Sequence, residues 1–200
     1  MKNEGVTEME MNNFAVFCGS SSGTNSVYIE QAERFGEELA KNQKTLIYGG
    51  AQVGCMGALA DASLSGGGKV IGVIPEKLKA VEIAHNQLTD LHVVSTMHER
   101  KSKMAALADG FVALPGGSGT LEEWFEVFTW SQLGYHAKPC GLLNVNHFFD
   151  PLIKLLEHTI EQGFMNEDYR DMMIVSSDPR ELLEKMASYQ PVHSAKWSEY

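Results

Sequence analysis

The chain is short of positive charge. Its 16 Lys and Arg residues stand against 26 Asp and Glu residues, which gives a formal net charge of −10. A protein that binds nucleic acid generally carries a basic face, because contacts to phosphates supply much of its affinity. The composition therefore argues against nucleic acid as a partner, although it leaves room for a small basic pocket.

Cysteine and long apolar runs are also scarce. The three cysteines are widely spaced, which is typical of reduced thiols in a cytoplasmic protein and not of a disulfide framework or a zinc cluster. No apolar run approaches the ~18 residues of a membrane-spanning helix, so we expect no membrane partner. The seven histidines lack the spacing of a metal site, and we expect no metal. Residues 1–13 lack the apolar stretch of a secretory signal and are predicted to be a flexible leader.

What the chain does contain is a regular alternation of short apolar runs and amphipathic stretches. The run 14–18 is apolar throughout, as expected of a strand that is covered on both faces. The alternation predicts an α/β fold with a doubly wound parallel sheet in three layers, α/β/α. We expect a single domain over residues 14–187 and a tail over 188–200. The predicted strands are 14–18, 45–48, 69–74, 91–94, 110–114, 139–143 and 173–175, and segment 76–90 is expected to be a lid-like loop with one helical turn.

Small-residue turns follow three of the predicted strands. They begin at Gly19, Gly49 and Gly116. In a doubly wound sheet the carboxyl ends of the strands share one edge, and ligands bind beyond that edge. The agreement among the three turns predicts a ligand site there.

The most informative turn is Pro115-Gly116-Gly117-Ser118-Gly119-Thr120-Leu121-Glu122-Glu123, between the fifth strand and a helical stripe. Its three glycines are expected to take positive φ and to leave no Cβ between the backbone and a ligand. The first turn of the helix offers unpaired N–H groups and a positive dipole end, which suit a phosphate. No Lys follows the last glycine, so this is not a Walker loop. The structural alternative is a capping box, in which Thr120 and Glu123 only hold the helix start.

A charged cluster, Met97-His98-Glu99-Arg100-Lys101, opens the helix after the fourth strand. Arg100 can fork onto a phosphate or carboxylate, and Lys101 can add a point charge. Two cations at a helix start oppose the dipole, and an anionic ligand would remove that conflict. The alternative is a solvated charge cluster. Lys101 also falls on the predicted buried face of this helix, where it needs a partner, whereas Glu122 and Glu126 are expected to be ordinary surface charges.

These segments resemble the LOG ("lonely guy") family of cytokinin riboside 5′-monophosphate phosphoribohydrolases, long labelled lysine decarboxylases. The glycine turn is similar to the family motif P-G-G-x-G-T-x-x-E, residues 97–101 to M-H-x-R-K, and residues 49–57 to G-G-x-x-x-G-x-M-G. The resemblance runs from about Phe14 to Met186. It implies a Rossmann-like homodimer that hydrolyses the N-glycosidic bond of adenosine 5′-monophosphates, with or without an N6 substituent. The products are an adenine-type base and ribose 5-phosphate, and no cofactor is expected.

On this resemblance the catalytic pair is Arg100 and Glu123. Glu123 follows the glycine turn by one helical turn, which is close enough to reach the sugar of a bound nucleotide. Ser118 stands where plant members usually have Tyr, which bears on the preference for a prenylated base. The expected substrate contacts are Ser20, Gly50, Glu82, Met97, Lys101, Gly116, Gly117, Ser118, Gly119, Thr120 and Thr129.

Other functions fit parts of the sequence. Related Rossmann-like proteins bind nucleotides or carry ligands without catalysis, but the presence of both Arg100 and Glu123 disfavours that alternative. Amino-acid decarboxylation lacks a recognisable lysine context for pyridoxal phosphate. One surface expectation concerns assembly: the segment after the glycine turn has more aromatic surface than one helix face needs, so we expect part of it to form a two-fold dimer interface. Its aromatic residues are Trp124, Phe125, Phe128, Trp130 and Tyr135.

Overall fold

A seven-stranded parallel sheet forms the centre of the computed structural model, which describes residues 11–79 and 84–192. The strands are β1 (Asn13–Phe17), β2 (Thr45–Tyr48), β3 (Lys69–Pro75), β4 (Asp90–Val94), β5 (Gly110–Ala113), β6 (Cys140–Leu143) and β7 (Met173–Ser176). Their order across the sheet is β4-β3-β2-β1-β5-β6-β7. The chain therefore builds the sheet outward from β1 to β4, returns to β5 on the other side of β1, and continues to β7.

Helices connect the strands. The α-helices are α1 (Val27–Lys41), α2 (Gly54–Ser65), α3 (Glu76–Lys79), α4 (Met97–Leu107), α5 (Ser118–Gln132), α6 (Asp150–Glu161) and α7 (Pro179–Ala187), and short 3₁₀ turns cover Val145–His147 and Glu167–Arg170. The α3 turn matches the single helical turn expected between β3 and β4. Within the described ranges, none of these helices is long and apolar enough to cross a membrane.

The side chains of β1 show how the sheet is covered on both faces. Phe14 and Val16 belong to the apolar core beneath α1, α2 and α7, whereas Ala15 and Phe17 belong to the core beneath α4, α5 and α6. This division follows the period of two along a strand. It confirms the three-layer, doubly wound architecture, and it explains why the strand is apolar at every position.

The fold extends a little beyond the boundaries expected from the sequence. β1 begins at Asn13, and Met11 is buried. The carboxylate of Asp109 accepts hydrogen bonds from the backbone N–H groups of Asn12 and Asn13, at 2.9 and 2.8 Å. The last three residues of the expected leader, 11–13, therefore belong to the domain. Tyr189, in the expected tail, also packs against the core.

The site edge is set by the point where the strand order reverses. β1 pairs with β2 on one side and with β5 on the other. The turns that follow β1 and β5 meet above the sheet, because the Gly19 N–H donates to the Pro115 carbonyl at 3.1 Å. A crevice at such a reversal is the usual ligand site of a doubly wound sheet.

Candidate active site

A cavity of about 360 Å³ lies at the carboxyl edge of the sheet, between the turns that follow β1, β2 and β5. It brings together eight of the site residues expected from the sequence. These are Ser20, Met97, Arg100, Gly117, Ser118, Gly119, Thr120 and Glu123. Gly116 borders a smaller neighbouring cavity of about 280 Å³, which also contacts Ser20 and Gly117.

A larger cavity, of about 590 Å³, lies at the opposite, amino edge of the sheet. It is bordered by Met11, Phe14 and Lys44, near the starts of β1 and β2, and by none of the expected site residues. The larger of these two cavities is therefore not the one that contains the expected site residues. We assign the site to the smaller cavity because it combines ionisable side chains with an open helix N-terminus.

The glycine turn differs from expectation in its backbone conformation. Gly117 is the N-cap of α5 and has φ −88°, and the positive-φ glycines of residues 11–79 and 84–192 lie elsewhere. Because Gly117 caps the helix, Thr120 lies inside its first turn, and the proposed capping box of Thr120 with Glu123 is wrong. The expectation of positive φ is also wrong. The glycines are needed here for the space that they leave.

That space is used in two ways. A Cβ on Gly116 would lie 2.1 Å from the Thr120 hydroxyl oxygen and 2.8 Å from the Gly19 nitrogen, so Gly116 permits the close packing of the turn. By contrast, a Cβ built on Gly117 or Gly119 would have no described atom within 4 Å beyond its chain neighbours and the adjacent backbone of α5. The backbone at Gly117 and Gly119 is therefore open to the cavity at the positive end of α5.

Arg100 is held by the backbone at the ends of two strands. Its Nε donates to the Val73 carbonyl and its Nη2 to the Gly49 carbonyl, both at 3.1 Å, and the residue is only 6% exposed. A Cβ on Gly49 would lie 2.0 Å from Nη2, so this glycine makes room for the guanidinium. The result is a fixed positive charge on the cavity wall. The alternative of a solvated charge cluster is wrong for Arg100.

A capping box holds the start of α4. The Thr96 hydroxyl accepts from the Glu99 N–H at 3.1 Å, and the Glu99 carboxylate accepts from the Ser95 N–H at 2.7 Å. These bonds satisfy backbone donors at the helix N-terminus. They fix the direction in which α4 leaves β4, and with it the approach of Arg100 to the sheet edge.

Glu123 faces the same cavity from α5. Its charge and that of Arg100 both act on the thiol of Cys18, which also borders the cavity. Burial raises the pKa of Cys18 well above its usual value, the neighbouring Cys55 and Glu123 raise it further, and Arg100 lowers it. Cys18 therefore stays protonated and serves as a small packing residue. The two expected catalytic side chains line one cavity around it.

Lys101 has the partners that its position requires. Its ammonium contacts Glu122 at 2.5 Å and Glu126 at 3.1 Å, and its side chain is 11% exposed. The expectation that Glu122 and Glu126 are ordinary surface charges is therefore wrong, because both join α5 to α4 through Lys101.

Two other expected contacts, Gly50 and Thr129, are not among the residues that border the cavity. Thr129 is exposed on α5, and its position eleven residues after Ser118 corresponds to roughly 16 Å along the helix. Gly50 has φ +80° and lies beside Gly49, which itself lines the cavity. Glu82 lies outside the described residues.

Comparison with known proteins assigns the chain to a family. Residues 56–186 match the family model described as "Possible lysine decarboxylase". The chain is 52% identical over 164 residues to the "Cytokinin riboside 5'-monophosphate phosphoribohydrolase" of Rhodococcoides fascians, covering 82% of this chain and 83% of that protein. It is 46% identical over 176 residues to the rice enzyme of the same name, LOG, covering 88% and 73%. The chain belongs to the LOG family.

Solved structures similar to this LOG family chain include the molybdenum cofactor binding protein of Rippkaea orientalis. Its TM-score is 0.65 at 20% identity, with 88% of this chain and 95% of that chain covered. The molybdenum cofactor carrier protein of Chlamydomonas reinhardtii also gives 0.65, at 19% identity, covering 87% and 99%. At this identity the likeness shows the fold alone.

Some residues that border the cavity of this LOG family member were not among the contacts expected from the sequence. Gly49, Met56 and Leu78 border the cavity, and the Gly49 carbonyl also binds Arg100. The position of Gly49 directly after β2 was a usable signal for one of them. The role of its carbonyl was not predictable, because it depends on contact with a side chain 51 residues away.

Proposed function

We propose that this LOG family member hydrolyses the N-glycosidic bond of adenosine 5′-monophosphates, including those with a cytokinin-type N6 substituent. The products are the free base and ribose 5-phosphate. The observation that carries the proposal is the meeting of Arg100, Glu123 and the open start of α5 on one cavity. The names of the relatives, cytokinin riboside 5′-monophosphate phosphoribohydrolases, support the same substrate class.

The start of α5 is the proposed phosphate site. The backbone at Gly117 and Gly119 is unobstructed by the described residues, and the first helical turn presents unpaired N–H groups. An anion is favoured there by the helix dipole as well. Phosphate bound at this point would hold the ribose one turn further along α5, beside Glu123.

Glu123 is the proposed stabiliser of the reacting sugar. When the base leaves with the bonding electron pair, C1′ and the ring oxygen of the ribose share a positive charge, and a nearby carboxylate lowers the energy of that state. Water then adds to C1′. The same carboxylate can accept a proton from this water or orient the ribose hydroxyls.

Arg100 is the proposed contact to the departing base. Its guanidinium is fixed by the Val73 and Gly49 carbonyls before substrate arrives, so it can polarise the base without reorganising. A guanidinium is a poor proton donor because its pKa is far above neutrality. The proton that the departing base gains is therefore assigned to water, and hydrolysis by this route uses no cofactor.

Comparison of three substrates tests the proposal. The purified chain is incubated with AMP, N6-isopentenyl-AMP and adenosine, and base and ribose 5-phosphate are quantified by chromatography. We expect equal amounts of base and ribose 5-phosphate from the nucleotides. For adenosine we expect kcat/KM at least ~100-fold lower, with kcat reduced as well, because phosphate binding helps place the ribose.

Two outcomes would contradict the proposal in different ways. Binding of AMP without release of base would leave a nucleotide carrier as the function. Comparable kcat/KM for adenosine and AMP would contradict the assignment of a phosphate site to the start of α5. The ratio between the two nucleotides gives the preference for a prenylated base, on which Ser118 bears because it lines the cavity.

A homodimer in the cytoplasm is the proposed state of the protein. Trp124 and Phe128 cannot form its interface, because they are 0% and 1% exposed in the core of one chain. Tyr135, at 77% exposed, and Leu133 remain available at the end of α5. Exposed Thr129 lies on the same helix, so we propose that this end of α5 faces the second subunit.

Light scattering at micromolar concentration tests the assembly. The expected mass is twice that of the 22.1 kDa chain. Replacement of both Leu133 and Tyr135 by Arg should shift the mass toward one chain. A monomeric mass for the unmodified protein would exclude the dimer.

A further inference from the structure

His85 is a buried histidine that has no role in the reaction proposed above. It is 1% exposed, its Nε2 lies 2.8 Å from the Asp61 carboxylate, and its Nδ1 lies 3.1 Å from the Gln87 nitrogen. A backbone N–H can only donate, so Nδ1 accepts and carries no proton. Nε2 therefore carries the ring proton and donates it to Asp61, which joins the segment before β4 to α2.

The backbone of His85 is joined to the turn that follows β2. Its N–H donates to the Gly50 carbonyl at 2.9 Å, and the preceding Ala84 forms an antiparallel bridge with Ala51. Gly50 has φ +80°. Because glycine takes positive and negative φ about equally readily, the residue by itself does not determine the conformation of the turn. The contacts from Ala84 and His85 hold the turn in the observed conformation.

The same turn holds the guanidinium of the candidate site. The Gly49 carbonyl, which accepts from Arg100 Nη2 at 3.1 Å, belongs to the peptide that joins Gly49 to Gly50. The orientation of this peptide depends on the conformation of Gly50. A continuous path of hydrogen bonds and backbone therefore runs from Asp61 through His85 and Gly50 to Arg100.

We propose that Asp61 and His85 are positioning residues, which hold the Gly49–Ala51 turn so that the Gly49 carbonyl keeps Arg100 in place on the cavity wall. This inference rests on the proposed function for its effect on turnover. The Asp61 side chain is 56% exposed, so water screens its charge. The hydrogen-bond acceptor at position 61 therefore matters, and its negative charge does not.

The matched pair Asp61→Ala and Asp61→Asn tests the proposal, because Asn keeps an acceptor oxygen and Ala removes it. With AMP we expect Asp61→Ala to lower kcat roughly tenfold and to change KM less than about threefold, as for a misplaced catalytic group. Asp61→Asn should stay within about threefold of the parent in both constants. His85→Asn is a second route, since its side chain can still accept from the Gln87 N–H but no longer reaches Asp61. The His85→Asn variant should show the same changes in kcat and KM as Asp61→Ala.

A second Asp–His pair provides the control. Asp90 lies 3.2 Å from His92 and is also 56% exposed, but its carboxylate accepts from the Leu91 N–H instead of joining the Gly49–Ala51 turn. Asp90→Ala should leave kcat within about threefold of the parent.

A readout without turnover separates this proposal from the proposed function. Exchange of the Arg100 Nε proton with water, followed by NMR in the protein without nucleotide, should be at least about tenfold faster in Asp61→Ala. It should be unchanged in Asp61→Asn and Asp90→Ala. If the parent does not hydrolyse AMP, the proposed function fails and this exchange still decides the positioning role. Unchanged exchange in Asp61→Ala and His85→Asn, or equal damage from Asp61→Asn and Asp61→Ala, would overturn it.

Discussion

Gly49 and Gly119 border the same cavity and are glycine for opposite reasons. A Cβ on Gly49 would lie 2.0 Å from Arg100 Nη2 and 2.3 Å from the Met56 methyl carbon. A Cβ on Gly119 would meet no described atom within 4 Å beyond its chain neighbours and the adjacent backbone of α5. The space beside Gly49 is filled by the protein itself. The space beside Gly119 is open to a ligand.

This difference divides the site into an anchored side and an open side. On the anchored side, Arg100 donates to two backbone carbonyls. On the open side, the first turn of α5 presents backbone donors to the cavity. A charge that is fixed in advance suits the chemical step, whereas free donors suit the capture of a phosphate.

The largest expected effect comes from Glu123, which faces the cavity from α5. Glu123→Gln keeps the shape of the side chain but removes its charge, so we expect kcat for AMP to fall by roughly 100-fold or more. The unfolding midpoint in urea should stay close to that of the parent. Glu33→Gln, on the exposed surface of α1, is the control and should have parental turnover. Near-normal turnover of Glu123→Gln would leave that residue with a structural role alone.

A smaller effect is expected from Gly49→Ala, which tests the anchored side. The added methyl group must displace Arg100 or Met56, so we expect a loss of about 1–3 kcal/mol in the free energy of unfolding, as for overpacked cores. We also expect kcat/KM to fall roughly 30-fold as the guanidinium moves. Urea unfolding and steady-state kinetics measure the two losses. Parental stability together with parental kinetics would show that the turn and Arg100 can shift without consequence.

The smallest effect is expected from Gly119→Ala, which tests the open side. Gly119 is helical and unobstructed, so Ala should leave stability unchanged or raise it by about 0.5 kcal/mol, given its higher helix propensity. KM for AMP should nevertheless rise roughly tenfold, because the methyl group narrows the phosphate site. Hydrolysis of adenosine, which has no phosphate, is the internal control and should change less. If Gly119→Ala lost stability but kept the parental KM for AMP, Gly119 would be needed for packing and not for ligand binding.

The sequence alone gave a close account of the scaffold. All seven strands lie within two residues of their predicted limits, because runs such as 45–48 are apolar and are bounded by turns. The prediction that Arg100 and Glu123 share the carboxyl edge is also confirmed, since both lie on helices that follow strands of a parallel sheet. Hydrophobic patterning and connection rules are local or topological, so they can be read from the order of residues.

The backbone of the glycine turn was not predictable in the same way. Gly117 has negative φ, and the glycine at 116 is required by a contact with Thr120 and with the turn after β1. The local sequence indicated a turn with little steric bulk. It did not indicate whether the glycines were needed for positive φ or for close packing, because the packing involves a segment almost a hundred residues away.

Charge partners and surface exposure were likewise decided by the tertiary structure. The sequence showed that Lys101 needed a partner, but only the packing of α4 beside α5 brought Glu122 and Glu126 to it. It also showed an excess of aromatic residues on α5, of which Trp124 and Phe128 turned out to fill the core. The sequence by itself determined the sheet, its edge and the chemistry assembled there, since these follow from periodicity and residue type. Which atoms meet across that edge depended on the packing of residues far apart in the chain.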